Sequence, residues 1–192
     1  MNASVPEKRI QEIFAETAAA HAAAAISAVA TIAAAAEALE VSLTAGGKIL
    51  VFGNGGSAAD SQHFAAEFIG RFRVDRQAIP AIALTTDTSI LTSIANDYSY
   101  ERVFARQIEA LGRKGDVAFG ITTSGQSPNV LVALAQARRQ GLATIALVGT
   151  NRDGAAAIAD IAISVPASST ARIQEVHRTI LHILCELVED RV

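Results

Sequence analysis

The sequence predicts an α/β fold: a doubly wound sheet of five parallel strands flanked by helices. Five short apolar runs, rich in Val and Ile, provide the strands, at residues 49–52, 81–85, 117–122, 143–148 and 161–165. None of them alternates strictly between apolar and polar residues, which indicates strands buried on both faces. Helical patterns separate most of the runs, and the order strand-helix-strand favours a parallel sheet. These helices are expected at residues 58–71, 100–111 and 130–140, with at most a brief helix between 148 and 161 and a final helix over 171–189.

A long helical extension precedes the predicted sheet. The pattern is helical from about residue 7 to residue 43 and stops at the Gly46-Gly47 pair. Alanine dominates residues 18–39, which lack the basic start of a signal peptide and the Leu, Ile and Phe content of a membrane span. We expect one long helix whose small side chains permit close packing, either against the chain's own core or against another subunit.

The composition indicates a single domain. A chain of 192 residues can bury one core, and no linker or repeat divides the sequence. We expect one domain over residues 1–192, with a helical region over 1–46 and an α/β core with the C-terminal helix over 47–192. The net charge of −3 and the scattered basic residues give no support for binding nucleic acid or a membrane. The single cysteine, Cys185, can form no intramolecular disulfide, as fits a cytoplasmic protein.

Polar loops follow the first four predicted strands. In this fold class ligands bind beyond the carboxyl ends of the strands, so these loops form the expected binding region. Three of them are rich in glycine and hydroxyl groups, which favours a bound polar ligand over simple capping of helices and turns. The four loops are Gly53-Asn54-Gly55-Gly56-Ser57, Thr85-Thr86-Asp87-Thr88-Ser89, Thr122-Thr123-Ser124-Gly125-Gln126-Ser127-Pro128-Asn129 and Gly149-Thr150-Asn151.

The loop after the third strand has the features of a phosphate site. Ser127 suits the N-cap of the following helix, and Pro128 suits its first turn, where no backbone N–H is needed. The free amides at that helix start and the hydroxyls of Thr122, Ser124 and Ser127 can together hold a phosphate monoester.

The loop after the first strand also admits a competing interpretation. The pattern G-x-G-x-x-A at residues 53–58 satisfies the dinucleotide-binding motif, and Asp87 near the second strand can hold a ribose. However, Asn54 and Ser57 place side chains where a dinucleotide loop normally uses backbone alone. The chain also has no second domain for a hydride-accepting substrate, so this interpretation is the weaker one.

Two predicted helices carry polar residues at a spacing of four. His63 and Glu67 lie one turn apart, and such a pair can bind a divalent metal, act as a base with its orienting group, or simply lie at the surface. On the last helix Gln174, Arg178 and His182 follow the same spacing. A lone histidine in the apolar sequence ILHILCEL is more often a satisfied core residue than a ligand.

Taken together, four segments resemble the sugar isomerase (SIS) family, in particular its phosphoheptose isomerases. They are GNGGSAADSQHFAAEF, TTDTSILTSIANDYSYE, TTSGQSPN and ARIQEVHRTILHILCEL, and the likeness covers nearly the whole chain. The resemblance implies a flavodoxin-like fold and isomerisation of sedoheptulose 7-phosphate to D-glycero-D-manno-heptose 7-phosphate. That reaction is the first step of heptose synthesis for bacterial lipopolysaccharide and surface polysaccharide. The resemblance also implies a homotetramer with active sites between subunits, and one Zn²⁺ per subunit.

The resemblance further assigns roles to individual residues. Glu67 would be the base and His182 the second acid–base group. Zinc would be bound by His63, Glu67, Gln174 and His182. Thr122 and Gln126 stand where the family often has Ser and Asn, but both keep a polar group. Substrate contacts are expected from Asn54, Gly55, Gly56, Ser57, Glu67, Asn96, Asp97 and Gln174 and, around the phosphate, from Thr122, Thr123, Ser124 and Ser127.

Three other functions are compatible with parts of the sequence. A replication-initiator-associating protein of the same superfamily has a similar fold and similar loops, but it is a tetrameric binding module with no use for Glu67 and His182 as an acid–base pair. A sugar-phosphate sensor would bind the ligand without turnover. The dinucleotide interpretation predicts that the chain binds NAD and no sugar phosphate.

Overall fold

The computed structural model describes residues 4–192 and contains one five-stranded sheet whose neighbouring strands are all parallel. The strands lie in the spatial order β2-β1-β3-β4-β5, which confirms the predicted doubly wound sheet. The order reverses between β1 and β3, so the loops after these two strands flank the crevice in which this architecture binds ligands. The strands are β1 (Ile49–Gly53), β2 (Ala81–Ala83), β3 (Val117–Thr122), β4 (Ala143–Val148) and β5 (Ile161–Ser164).

Eight α-helices and one 3₁₀ turn surround the sheet in the described part of the chain. They are α1 (Val5–Ser27), α2 (Val29–Thr44), α3 (Gly56–Ile69), α4 (Thr88–Asp97), the 3₁₀ turn (Tyr100–Arg102), α5 (Ala105–Leu111), α6 (Pro128–Arg139), α7 (Ala155–Ile158) and α8 (Thr170–Glu189). Helix α4, whose N-cap is Asp87, was not predicted from the sequence. The Asp87 carboxylate accepts the N–H of Ile90 at 2.9 Å, so this residue caps a helix in the structure.

The long helical extension predicted at the N-terminus is confirmed, and it consists of two helices. The extension bends by 69° at Ala28, which is buried and separates α1 from α2. A straight helix over both would be about 60 Å long, about twice the length of α8, on which both helices pack. The bend lets α1 pack along α8 while α2 packs on α8, β3 and β5. Within residues 4–192 no single helix meets the length and hydropathy criteria of a membrane span; the bent pair of α1 and α2 meets them jointly, by length and composition only.

Both faces of the sheet are buried, as predicted from the lack of alternation. Ile49 and Val51 of β1 belong to the core formed with α1, α2, α3 and α8. Leu50 and Phe52, which alternate with them, belong to the second core, formed with α5, α6 and α7. Every residue of β1 is therefore buried, and a parallel central strand of this kind has no polar face.

The lone cysteine is part of the first core. Cys185 is 2% exposed, and burial raises the pKa of its thiol far above the ordinary value, with the charge of Glu67 acting in the same direction. We expect iodoacetamide at pH 8 to leave Cys185 of the native protein unmodified and to label it fully in urea, because only an accessible thiolate reacts. Mass spectrometry of both samples measures this, and rapid labelling of the native protein would contradict the buried placement.

Candidate active site

Two helices, α3 and α8, lie side by side and run in the same direction. We call their line of contact the α3–α8 seam. Successive turns of α3 contact successive turns of α8, so the pairing is in register along both helices. The paired residues are Gly56 with Gln174, Asp60 with Arg178, and His63 with His182.

The middle of the seam holds a His–Glu–His cluster. The Nε2 atoms of His63 and His182 lie 2.7 Å apart, and Glu67 Oε1 lies 3.6 Å from His63 Nε2. Two bare nitrogen lone pairs repel at that distance, so a proton or a cation between them is required. Phe72 packs on His182 with ring centroids 5.6 Å apart, which leaves the cluster half-buried.

This cluster has the geometry of a metal site. The ligand atoms of His63, Glu67 and His182 all lie within 4.8 Å of one another, and no other His, Cys, Asp or Glu group in residues 4–192 meets the same criterion. Two imidazole nitrogens and one carboxylate oxygen form a donor set that suits zinc. The residues therefore fit the group that the sequence resemblance implies.

One end of the seam opens into a small polar cavity of about 100 Å³. Ser57 lies in the first turn of α3 and Ser127 is the N-cap of α6, so two helix N-termini meet at this cavity and favour an anion there. Its lining residues are Asn54, Ser57, Ile121, Thr122, Thr123, Ser127 and Gln174.

The hydroxyl groups of the loop after β3 converge as the sequence predicts. Thr122 Oγ1 lies 3.2 Å from Ser124 Oγ and 3.0 Å from Ser127 Oγ, and the N–H of Gln126 donates to Ser124 Oγ at 3.1 Å. Gly125, with a φ of +69°, turns the chain in the left-handed region that glycine favours. The loop is therefore folded around its own hydroxyls, with an anion-sized space beside them.

Two residues that sequence reasoning missed hold Asn54 in place. The side-chain amides of Asn54 and Asn129 donate to each other at 2.9 and 2.8 Å, and Tyr100 Oη donates to Asn54 Oδ1 at 3.2 Å. Asn129 is 2% exposed, so its pairing is fixed by burial. Both residues stand inside the segments TTSGQSPN and IANDYSY, but only the folded chain brings them to Asn54.

Gln174 joins the polar cavity because Gly56 leaves space for it. A Cβ atom on residue 56 would stand 2.6 Å from Gln174 Nε2, closer than any normal contact. Asn96 and Asp97, in contrast, lie at the exposed end of α4, where Asn96 donates to Asp97 Oδ1 at 2.8 Å. In the described chain the hydrogen bonds of their side chains do not reach the cavity or the cluster.

Comparison with known proteins places these features in a family. Residues 13–149 match the family model described as SIS domain. The chain belongs to the SIS domain family. It is 62% identical over 148 residues to the phosphoheptose isomerase of Paramagnetospirillum magneticum, which covers 77% of each chain. It is 50% identical over 185 residues to the phosphoheptose isomerase of Aquifex aeolicus, which covers 96% of this chain and 97% of that one.

A solved structure gives the same result for the SIS fold. The phosphoheptose isomerase from Neisseria gonorrhoeae superposes with a TM-score of 0.92 at 43% identity, covering 97% of this chain and all of that one. The family membership that the four sequence segments indicated is thus confirmed. In this SIS domain the polar cavity and the His–Glu–His cluster lie on the same pair of helices.

Proposed function

We propose that the chain isomerises sedoheptulose 7-phosphate to D-glycero-D-manno-heptose 7-phosphate through an enediol. The observation that carries this proposal is the arrangement of the anion cavity and the His–Glu–His cluster along one helix. Gly56 and His63 are seven residues apart on α3, a separation of about 10 Å at the helical rise. An extended seven-carbon sugar has a similar distance between its phosphate and its C1–C2 end. The identities to phosphoheptose isomerases support the same substrate.

The reaction moves a carbonyl between C1 and C2, so a carbon-bound proton must leave one carbon and return to its neighbour. We assign that proton to the carboxylate of Glu67, and the oxygen protons to the imidazole of His182. Hydroxyls at the cavity and the N-termini of α3 and α6 would hold the phosphate. The Asn54 side chain, oriented by Asn129, can then donate its remaining N–H to a substrate oxygen. A bound zinc ion would polarise the substrate oxygens and stabilise the enediolate.

For the metal we propose one Zn²⁺ per subunit, bound by His63, Glu67 and His182 and, from the sequence resemblance, by Gln174. Elemental analysis of protein equilibrated with zinc and then desalted should give one equivalent per chain. The variant His63→Ala should lose most of the zinc, because one of the two imidazole ligands is then missing. Zinc-equilibrated wild-type protein that retains no metal would contradict this assignment.

For the assembly we propose a homotetramer with active sites between subunits. Three observations support it. Helix α4 has no buried residue, and the exposed Asn96 and Asp97 belong neither to the lining of the polar cavity nor to the His–Glu–His cluster of the same chain. An apolar groove of about 410 Å³ lies between α1, α2 and α8. A second copy would bury the groove and bring the end of α4 to a site. Light scattering coupled to gel filtration should report four chains, whereas a monomer at micromolar concentration would contradict the proposal.

The catalytic proposal is tested by incubating the zinc-loaded protein with sedoheptulose 7-phosphate and following the aldose product by NMR. We expect conversion to an equilibrium mixture. Binding of the sugar phosphate without any product would identify a sensor or a binding module and overturn the isomerase assignment. Titration with NAD tests the dinucleotide interpretation, which would be supported if the protein bound NAD and did not bind the sugar phosphate.

One variant tests the phosphate pocket directly. We expect Ser127→Ala to raise KM for the substrate about tenfold or more with a smaller change in kcat, since a hydrogen bond to a charged group is lost in both ground and transition states. Ser27→Ala is the control, because the Ser27 hydroxyl donates to Ala23 O on exposed α1. Equal KM values for the two variants would place the phosphate elsewhere.

A further inference from the structure

Beyond the cluster itself, we propose that the ion pair between Arg76 and Glu189 positions Glu67 and His182 for proton transfer and metal binding. In the described chain no hydrogen bond or ion pair joins either side chain to the cavity or to the side chains of the cluster, so the two are positioning residues. The inference rests on the proposed isomerase function, and it adds to that function the part of the chain that sets the cluster's geometry.

Glu189 is the last residue of α8 and is almost fully buried, with a side chain 2% exposed. Its carboxylate accepts the N–H groups of Phe72, Arg73 and Val74 at 3.0, 2.8 and 3.3 Å, and Arg76 Nε donates to it at 3.1 Å. Burial by itself raises the pKa of Glu189, but these donors outweigh burial and hold the pKa below its ordinary value. The carboxylate is therefore charged and fully engaged with the segment that follows α3.

Arg76 connects the same segment to the end of α3. Its Nη2 donates to the backbone oxygen of Glu67 at 2.8 Å, and its Nη1 donates to Phe68 O at 2.9 Å and Gln77 O at 3.0 Å. The last carbonyls of a helix have no partner within the helix, and a guanidinium can satisfy them. One of the two helix carbonyls that Arg76 caps belongs to Glu67, the residue assigned as the base.

The ion pair also reaches His182. Glu189 lies seven residues after His182 on α8, two turns along, so both side chains lie on the same face of α8. Phe72 donates its N–H to Glu189 while its ring packs on His182. The pair thus joins the end of α3, the segment after it and α8, at a point about two turns from the cluster. Loss of the pair should let α3 and α8 shift relative to each other.

The chain offers a matched control at the starts of β1 and β3. Asp116 is 4% exposed, forms an ion pair with Lys48 Nζ at 2.6 Å and accepts the N–H groups of Lys48 and Arg113. Glu189→Gln and Asp116→Asn each neutralise a buried carboxylate that holds backbone N–H groups and a cation. Only the first of these carboxylates is connected to the seam.

The experiment measures melting temperature, zinc affinity by competition with a chelator, and kcat and KM for both variants. We expect both to melt earlier than wild type. Glu189→Gln alone should bind zinc about tenfold or more weakly and lose about tenfold or more in kcat, the range seen when groups behind metal ligands are removed. KM should change less than about threefold, because the phosphate pocket is distant from the pair. Equal zinc affinity and kcat in the two variants would overturn the proposal.

A second variant covers the case in which Glu189→Gln does not fold. Arg76→Lys keeps the positive charge beside Glu189 but cannot donate to three carbonyls and a carboxylate at once. We expect it to fold with a smaller loss of melting temperature and to show the same weakening of zinc binding. Wild-type zinc affinity in Arg76→Lys would overturn the positioning role. Zinc affinity does not depend on turnover, so it tests the positioning role separately from the proposed function. A wild-type protein without isomerase activity would overturn the proposed function and leave the zinc comparison valid.

Discussion

Replacement of Glu67 by Gln should lower kcat for isomerisation about a thousandfold, the magnitude expected when a general base is removed. Gln has nearly the same shape as Glu but cannot accept the carbon-bound proton. The side chain is 22% exposed and lies beside His63, so the neutral amide should be tolerated by the fold. The measurement is kcat at saturating zinc and substrate, with binding of the sugar phosphate followed separately by calorimetry.

The matched control is Glu109→Gln on α5. Glu109 has a similar side-chain exposure of 27% and pairs with Arg102 and Arg106, far from the seam. We expect this variant to keep wild-type kcat. Glu67→Gln that retains sugar-phosphate binding but no turnover would support the assignment of the base. Retention of kcat in Glu67→Gln would contradict it, and a loss of folding would indicate a structural role.

The second large effect concerns His177, which lies on α8 outside the four-residue spacing of Gln174, Arg178 and His182. The structure buries it completely beneath the end of β4, where its Nε2 donates to Val148 O at 3.1 Å. Its Nδ1 has no hydrogen-bond partner in the described part of the chain. Burial lowers the pKa of His177 to about 4, and the hydrogen bond to Val148 and the nearby charge of Asp60 offset only part of that shift.

This shift makes stability fall as the solution becomes acidic. In the unfolded chain a histidine binds a proton below about pH 6.5, whereas the folded protein resists protonation of His177 down to about pH 4. The unfolded state therefore binds more protons in this window. The contribution that neutral His177 makes to the free energy of unfolding is complete above pH 6.5 and is lost progressively toward pH 4. The total loss is about 3 kcal/mol, or about 1.4 kcal/mol per pH unit.

Urea unfolding of wild type and His177→Gln at pH 7.0, 6.0 and 5.0, with a chelator present, measures this effect. Gln keeps an N–H donor for Val148 O but does not titrate, so we expect a flatter pH dependence in the variant. The lowered pKa of Glu189 contributes stability at neutral pH that is lost mainly below about pH 4.5, the ordinary value of a glutamate, and therefore below the range measured here. Parallel slopes for the two proteins would contradict the assignment to His177.

Much of the fold follows from local patterns in the sequence. Strands β3 and β4 have the predicted bounds, and α3, α6 and α8 lie within two residues of theirs. Periodicity and apolar runs report local structure directly, which explains this success. The bend at Ala28 escaped prediction because an alanine-rich run has nearly uniform helix propensity. The α4 helix escaped because its polar first turn is typical of a loop.

For the active site, local sequence patterns predict each of the two halves: the hydroxyl-rich loops, and the His63–Glu67 pair, which one helical turn brings together. The way in which the halves meet depends on long-range packing. His63 and His182 are 119 positions apart, and the packing of α3 on α8 brings their nitrogens to 2.7 Å. The contacts of Asn129, Arg76 and Glu189 could not be predicted from the sequence either. A contact between distant segments depends on how whole helices pack, and it produces no periodic pattern in the local sequence.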